Sequence, residues 1–216
     1  FKNGVYIFTQ LEYSVPPILG ENYKGINKFY MEHYMEKIYF KVGDIYSLFG
    51  RGLSLNLMQD QSIDFDNSIR GIEANYNLNE NVTIFSIFGK SIFKSRGDPT
   101  NREKDISIDK QLSFIGAEYD NSYLGQIALA ILQNDYNDIS KDYSHWKNSY
   151  SKTDYDFYWG KQFDNFDIFI ENVLCFNNNP EYKDGSRFYA SIYANIIEFG
   201  ITYEYKNYYL DQNIEL

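Results

Sequence analysis

The stretch Arg70–Phe93, RGIEANYNLNENVTIFSIFGKSIF, shows how this chain is built. In its first part Ile72, Ala74, Tyr76 and Leu78 fall on one face of an extended chain, and Gly71, Glu73, Asn75 and Asn77 fall on the other. A period of two is typical of a β-strand whose two faces meet different surroundings. The polar LNEN that follows predicts a tight turn before a second strand begins at Val82. The stretch therefore predicts a β-hairpin.

The same alternation of apolar and polar residues recurs along the chain. It predicts about ten to twelve strands, several of them nine to twelve residues long. That is the length of a tilted strand that crosses a bilayer. We predict eleven strands: Val5–Tyr13, Lys28–Val42, Leu53–Met58, Arg70–Leu78, Val82–Phe93, Gln111–Asp120, Tyr123–Asn134, Asp154–Gln162, Phe166–Phe176, Phe188–Ile197 and Phe199–Tyr208.

The composition fits a sheet in which apolar and polar residues are finely mixed. Aromatic residues make up 19% of the 216 residues, yet the mean hydropathy is −0.50. A disordered chain would lack these aromatic residues. The formal net charge of −10 disfavours nucleic acid as a partner, because binding phosphates requires a basic face. The single Cys175 excludes an internal disulfide.

The predicted connections differ in length in a regular way. Short turns at Leu78–Asn81, Asp120–Ser122 and Asp164–Asn165 alternate with long polar loops at Lys94–Lys110, Asn134–Thr153 and Asn177–Arg187. Bacterial outer-membrane barrels have short turns at one end and long loops at the other. We therefore predict one all-β domain over residues 1–216, folded as an antiparallel up-and-down transmembrane β-barrel. We expect it to lie in the bacterial outer membrane, in contact with lipid. A soluble lipocalin-like barrel or sandwich is the alternative.

Two features predict that the sequence is part of a longer chain. It begins at Phe1 rather than at Met, and no signal peptide or apolar run of membrane-helix length is visible. Eleven strands is an odd number, whereas bacterial single-chain barrels have an even one. We expect either further strands outside the sequence or a strand missing from the count.

The glycine-rich stretch Lys41–Leu57, KVGDIYSLFGRGLSLNL, invites comparison with a phosphate-binding loop. A Walker loop needs a Lys-Ser or Lys-Thr after the glycines and then a helix, and neither is present. A dinucleotide fingerprint needs a third glycine. We therefore predict a strand–bend–strand element at the barrel rim, in which Gly43, Gly50, Gly52 and, further on, Gly71 shape the backbone.

Charged residues surround these glycines. We predict that Asp44, Arg51, Asp60, Asp66 and Arg70 form a network of carboxylates and guanidinium groups that holds a strand end or a loop within a polar lumen.

No catalytic, cofactor-binding or metal-binding site is predicted. The carboxylates of Asp60, Asp64 and Asp66 are of a type that binds calcium, but their spacing is not that of an EF-hand loop. The two histidines, His33 and His145, have no nucleophile motif near them, and no GxSxG is present.

The segment Val42–Tyr76 contains Gly-Asp-x-Tyr at a strand end, then Phe-Gly-x-Gly-Leu, and then Asp-Asn-x-Ile-x-Gly at the start of the next strand. In these motifs it resembles a poorly characterised family of outer-membrane β-barrel proteins from the Bacteroidota and related bacteria. A departure is Asn56, which stands where a basic residue is expected. The resemblance implies an outer-membrane location and a barrel fold, and it implies no enzyme activity. The positions that carry it are Gly43, Asp44, Tyr46, Phe49, Gly50, Gly52, Leu53, Asp66, Asn67, Ile69 and Gly71.

The sequence thus predicts a channel or a structural or transport-associated envelope component, without catalysis and without a cofactor. Its partners would be outer-membrane lipid and, beyond that, envelope proteins or small solutes. The alternatives are a carbohydrate-active enzyme and a surface-binding module that uses the long loops.

Overall fold

The computed structural model describes residues 4–15, 23–60, 65–95, 106–138, 150–178, 183–196 and 199–209. In these ranges the chain forms thirteen β-strands and no helix: β1 (Val5–Ser14), β2 (Tyr23–Tyr34), β3 (Ile38–Ile45), β4 (Gln59–Asp60), β5 (Phe65–Asp66), β6 (Ile69–Asn77), β7 (Val82–Ser95), β8 (Ile106–Asn121), β9 (Gly125–Asp138), β10 (Tyr150–Gln162), β11 (Phe166–Asn177), β12 (Gly185–Ile196) and β13 (Phe199–Tyr209).

Eleven of these strands form one antiparallel sheet in which each strand pairs with the next one along the chain. The order is β1-β2-β3-β6-β7-β8-β9-β10-β11-β12-β13, and β4 and β5 pair separately in the connection between β3 and β6. The up-and-down arrangement predicted from the alternating pattern is confirmed. Among the described residues, no helix is both long enough and apolar enough to cross a membrane.

Two of the predicted strands are wrong. Lys28–Val42 is not one strand, because the chain turns at residues 35–37, where the Met35 amide donates to the Ile38 carbonyl oxygen at 2.8 Å. Leu53–Met58 belongs to no strand of the sheet, although an isolated bridge joins Leu48 to Asn56.

The short turns lie at one end of the sheet. They connect β2 to β3, β6 to β7, β8 to β9 and β10 to β11. At the opposite end the strands extend into the predicted long loops, since the β7–β8 ladder continues to the pair Ser95–Ile106. Residues 96–105, 139–149 and 179–182 of those loops lie outside the described residues, as does His145.

Strand β10 shows which side chains face inward. Asp154, Asp156 and Tyr158 are 1%, 2% and 4% exposed, and they alternate with Tyr155 and Phe157, which are 48% and 41% exposed. Carboxylates are therefore enclosed while large aromatic side chains face outward, the reverse of a water-soluble sheet. Alternation of apolar residues outward and polar residues inward is the pattern of a transmembrane β-barrel.

The enclosed face also holds a hydrophobic cluster, to which segment 46–58 contributes three of the twelve buried side chains and the sheet strands contribute nine. Because side chains of the segment and of six sheet strands bury one another, the sheet curls around the segment. The buried members are Ile45, Phe49, Leu55, Leu57, Ile69, Ile87, Leu112, Phe114, Ala128, Ala130, Leu132 and Tyr158.

The two edges of the sheet are β1 and β13, since in the described ranges β1 pairs only with β2 and β13 only with β12. Every residue of β13 is exposed. An odd number of antiparallel strands makes β1 and β13 run in the same direction. The expectation of further strands stays a prediction.

Candidate functional site

The connection between β3 and β6 folds into the curl of the sheet. Residues 46–58, called the inserted loop below, form a narrow hairpin: the Ser47 and Leu57 amides each donate to the other's carbonyl oxygen, at 3.1 and 2.8 Å, and the Phe49 amide donates to the Leu55 carbonyl oxygen at 3.1 Å. At its tip the Gly52 amide donates to the Phe49 carbonyl oxygen at 2.9 Å. These backbone groups are therefore paired within the loop itself, although the loop lies inside the lumen.

Phe49 anchors the inserted loop among aromatic side chains of three strands. Its ring centroid lies 6.1 Å from that of Phe85 on β7, 5.1 Å from that of Phe114 on β8 and 5.1 Å from that of Tyr158 on β10. Tilted and edge-on contacts of this kind add to the stabilisation from burial. The ring fixes the loop against one side of the lumen.

The tip of the loop is bound by a carboxylate of β11. The Arg51 amide donates to Glu171 Oε2 at 2.5 Å, and the Leu53 amide donates to Glu171 Oε1 at 3.0 Å. Glu171 is 0% exposed. Two charge-assisted hydrogen bonds compensate the burial of this carboxylate and hold the tip to the wall.

Gly50 is required at this tip. Its φ is +59°, in the left-handed region, and a Cβ atom on Gly50 would lie 2.6 Å from Glu171 Oε2. A side chain there would therefore strain the turn and displace the carboxylate.

Further contacts tie the loop and the residues after it to other strands. The Ser54 hydroxyl donates to Asp156 Oδ2 on β10, and Lys28 Nζ on β2 donates to Gln59 Oε1 on β4. The Arg51 guanidinium lies 5.0 Å from the centroid of the Phe169 ring on β11. Together with Phe49 and Glu171, these contacts fix the inserted loop against β7, β8, β10 and β11, and they fix Gln59, which follows the loop, against β2.

The rim position predicted for Lys41–Leu57 is therefore wrong from Tyr46 onward. Leu53, Leu55 and Leu57 alternate because the inserted loop is itself a hairpin with a buried side. Leu55 and Leu57 are buried in the core.

The structure brings together only part of the predicted charged network. Arg70 Nε lies 3.0 Å from Asp44 Oδ1, and Asp44 Oδ2 accepts a hydrogen bond from the Phe29 amide at 2.7 Å. Arg70 alternates with the buried Ile69 and shares a face with the exposed Ile72, so this pair lies on the outer face of the sheet. The pair holds the end of β3 rather than the lumen.

The other predicted members lie elsewhere. Arg51 is at the tip of the inserted loop, as described above. Asp66 Oδ2 accepts a hydrogen bond from the Tyr46 hydroxyl at 3.3 Å, and desolvation raises the pKa of Tyr46 to about 12. Asp60 pairs through its backbone with Phe65, and its side chain lies outside the described residues.

The glycines predicted to shape the backbone occupy special positions. Gly43 and Gly52, like Gly50, have positive φ, at +113° and +82°. Gly71 lies within β6, where a Cβ atom would be 2.0 Å from the Phe88 carbonyl oxygen of β7. All four positions therefore exclude a side chain for reasons of conformation or of close strand approach.

The sequence reasoning missed the inward carboxylates of β10 and β11. Asp154, Asp156 and Glu171 are all at most 2% exposed. The available signal was the alternation of acids with aromatic residues in DYDFY, Asp154–Tyr158, because an acid that recurs on one face of a membrane strand must face the lumen.

Asp154 belongs to a polar cluster between β10, β11 and β12. Arg187 Nη2 donates to Asp154 Oδ2 and lies 3.1 Å from the sulfur of the buried Cys175. Lys152 Nζ lies 3.4 Å from Asp154 Oδ1. In the described part of the chain, no group of three or more His, Cys, Asp or Glu side chains could hold a metal ion.

Two cavities adjoin the inserted loop. The first, called the loop cavity below, has a volume of about 270 Å³ and lies between the loop and strands β6, β7, β8 and β10. The second, of about 400 Å³, lies near the short turns and is lined by Arg51 together with Asp120, Lys161, Asp167 and Phe169 among others. Polar space therefore remains beside the loop.

Solved structures with a similar fold are outer-membrane proteins. The structure resembles an OmpT loop L8 deletion mutant of Vibrio cholerae with a TM-score of 0.54 at 9% identity, over 86% of this chain and 76% of that one. It also resembles the in-vitro folded OmpT of Vibrio cholerae, in its trimer form, with a TM-score of 0.50 at 12% identity, over 89% of this chain and 73% of that one. These similarities show the fold, an outer-membrane-type β-barrel.

Sequence comparison identifies a family but no characterised relative. A search of curated proteins gives no match. A family model covers residues 4–209, which include every strand of the sheet. The chain belongs to this family, which is described as a family of unknown function, DUF6029.

Proposed function

We propose that the protein is a narrow channel of the bacterial outer membrane, surrounded by lipid and passing small solutes. The outward aromatic and aliphatic side chains, such as Phe157 and the 63% exposed Leu129, support a lipid-facing surface. The similarity of fold to outer-membrane proteins supports the same location.

The observation that carries the proposal is the inserted loop, bound across the lumen to Glu171. A solid core would need apolar side chains on every inward position, whereas this lumen holds carboxylates, an arginine and two cavities beside a loop of its own. A loop that narrows a polar lumen without filling it limits the size of what passes. The proposed solutes are therefore small and polar.

The proposal does not include catalysis. The inward carboxylates of β10 and β11 each bind another part of the protein. Glu171 accepts hydrogen bonds from two backbone amides, Asp156 accepts one from the Ser54 hydroxyl, and Asp154 binds the Arg187 guanidinium. These contacts support a positioning role for the acids.

Conductance in a planar lipid bilayer tests the proposal. We expect small single-channel currents from the wild type and larger ones from a variant in which residues 48–55 are replaced by a short glycine–serine linker. The matched control is replacement of Asn79 by Ser in the exposed turn between β6 and β7, which should leave the current unchanged. If neither the wild type nor the loop variant conducts while both show heat-modifiable migration on a gel, the channel is refuted in favour of a structural role.

A further inference from the structure

We propose that the loop cavity binds a small primary ammonium ion, an inference that rests on the channel function and names the class of solute. Phe49 of the inserted loop is one of the residues that line the cavity. Its walls combine three kinds of group that together suit such a cation: aromatic rings, carboxylates and an amide oxygen without a hydrogen-bond donor.

Aromatic rings form one part of the wall. Phe49, Phe85, Phe114 and Tyr158 all line the cavity, and they already contact one another around Phe49. Ring faces attract an organic cation and also pack against its alkyl part. This wall favours an alkylammonium ion over a strongly hydrated inorganic ion.

Two carboxylates, Glu73 of β6 and Glu118 of β8, line the same cavity. Glu73 is 7% exposed, and its carboxylate accepts a hydrogen bond from the side-chain amide nitrogen of Asn75 at 3.3 Å. Glu118 accepts hydrogen bonds from the Tyr158 hydroxyl and from the Gln126 amide. These donors are all uncharged.

The cavity is therefore negatively charged. None of the described residues that line it is basic, and in the described ranges no salt bridge joins Glu73 or Glu118 to a basic side chain. The buried Lys41 lies opposite Glu73 in the β3–β6 ladder, and its ammonium group forms a salt bridge of 3.0 Å with Glu32. Lys41 therefore faces two carboxylates, Glu32 and Glu73, and Glu118 adds a third, so the charge around the cavity stays negative. Enclosing this negative charge is costly, and a bound cation would compensate it.

The Asn75 side-chain oxygen selects among cations. This oxygen is buried and accepts no hydrogen bond in the structure, although Asn75 lines the cavity. A primary ammonium group has three N–H donors, which matches the two carboxylates and this oxygen. A quaternary ammonium ion has no N–H donor and would leave the oxygen without a partner.

Isothermal titration calorimetry of the purified, detergent-solubilised protein with n-butylammonium chloride tests the site without depending on conductance. We expect saturable binding of butylammonium, and weaker binding of tetramethylammonium, 1-butanol and butyrate. Because each carboxylate contact to a charged donor is worth about a factor of ten or more, E73Q and E118Q should each weaken binding at least about tenfold. The matched control E80Q, in the exposed β6–β7 turn, makes the same charge change and should leave binding unchanged.

Equal affinity for butylammonium and 1-butanol, or unchanged affinity in both glutamine variants, would overturn the site, as would the absence of binding by the wild type. If a glutamine variant does not fold, N75L provides the remaining comparison and should reduce the preference for butylammonium over tetramethylammonium. A protein that conducts but binds no butylammonium overturns this inference alone. A protein that binds butylammonium but never conducts refutes the channel alone.

Discussion

Replacement of Glu171 by alanine is expected to release the tip of the inserted loop. The substitution removes both oxygens that accept the Arg51 and Leu53 amides, at 2.5 and 3.0 Å. Hydrogen bonds to a charged acceptor contribute about 1.5–3 kcal/mol each, so the pair would contribute about 3–6 kcal/mol. Water can hydrate the freed amides, and alanine also removes a buried charge, so we expect a net loss of about 2 kcal/mol in the free energy of loop docking.

A loss of about 2 kcal/mol corresponds to about a 30-fold larger undocked population. Trypsin reports this population, because it cannot enter the lumen and cleaves the Arg51–Gly52 bond only when the loop has left it. When loop motion is fast compared with cleavage, the cleavage rate follows the undocked population. We therefore expect cleavage at Arg51, measured by mass spectrometry of the folded protein in detergent, to be about 30-fold faster in Glu171→Ala.

The control is Glu12→Ala on β1, which removes a strand carboxylate whose hydrogen bond comes from Asn27 instead of from the loop. Its cleavage rate at Arg51 should equal that of the wild type. Glu171→Gln keeps one accepting oxygen and should give an intermediate rate. If all these proteins are cleaved equally slowly, the carboxylate does not hold the loop and the reasoning is refuted.

Three further substitutions test other parts of the structure. Gly50→Ala places a Cβ atom against the β11 carboxylate at a positive φ, which costs about 1–2 kcal/mol, so cleavage in the loop should accelerate by about tenfold; an unchanged rate would contradict the turn geometry. Arg187→Met leaves Asp154 buried without its guanidinium and should lower the free energy of unfolding by about 3–5 kcal/mol in urea titrations, an effect that should shrink when Asp154→Asn is added. Leu129→Arg puts a charge on the outward face of β9 and should cost about 2–4 kcal/mol when folding is measured in lipid vesicles; a cost near zero would argue against contact with lipid.

The alternating strands were predictable because the residue types on the two faces of a strand reflect what each face contacts, and this pattern is local in the sequence. In β6 Glu73 is buried while Ile72 and Tyr76 are exposed, as the period-two pattern of that strand predicts without knowledge of any partner. The turns predicted at Leu78–Asn81 and Asp120–Ser122 carry Asn, Asp or Ser, which favour turns. The second turn lies slightly later in the structure, at residues 122–124, because β8 continues to Asn121.

The turn between β2 and β3 was missed because it carries no such signal. Residues 35–37 are Met, Glu and Lys, without glycine, proline or asparagine, so the strand pattern of the sequence continues through them. The local sequence was compatible with one long strand, and only the pairing of β2 with β3 decides otherwise.

The inserted loop was missed for a different reason. Leu55 and Leu57 are buried at alternate positions, as they would be in a strand of the sheet, so periodicity cannot separate a hairpin inside the lumen from a strand in the wall. The partner of the loop tip, Glu171, lies on a strand far along the chain, and nothing near Arg51 in the sequence indicates it. The sequence predicted that the glycines shape the backbone, but it did not show that the segment they shape is a hairpin inside the lumen.

The contact between Arg51 and Glu171 also constrains the order of folding, because the two residues are 120 positions apart in the chain. Contacts this distant form late when strands join a sheet in chain order, since the intervening wall must first be built. The lumen would then stay open through most of assembly and close around its own loop only when β11 is in place. A chain arrested before β11 should accordingly still be cut by trypsin at Arg51, whereas the completed barrel should resist.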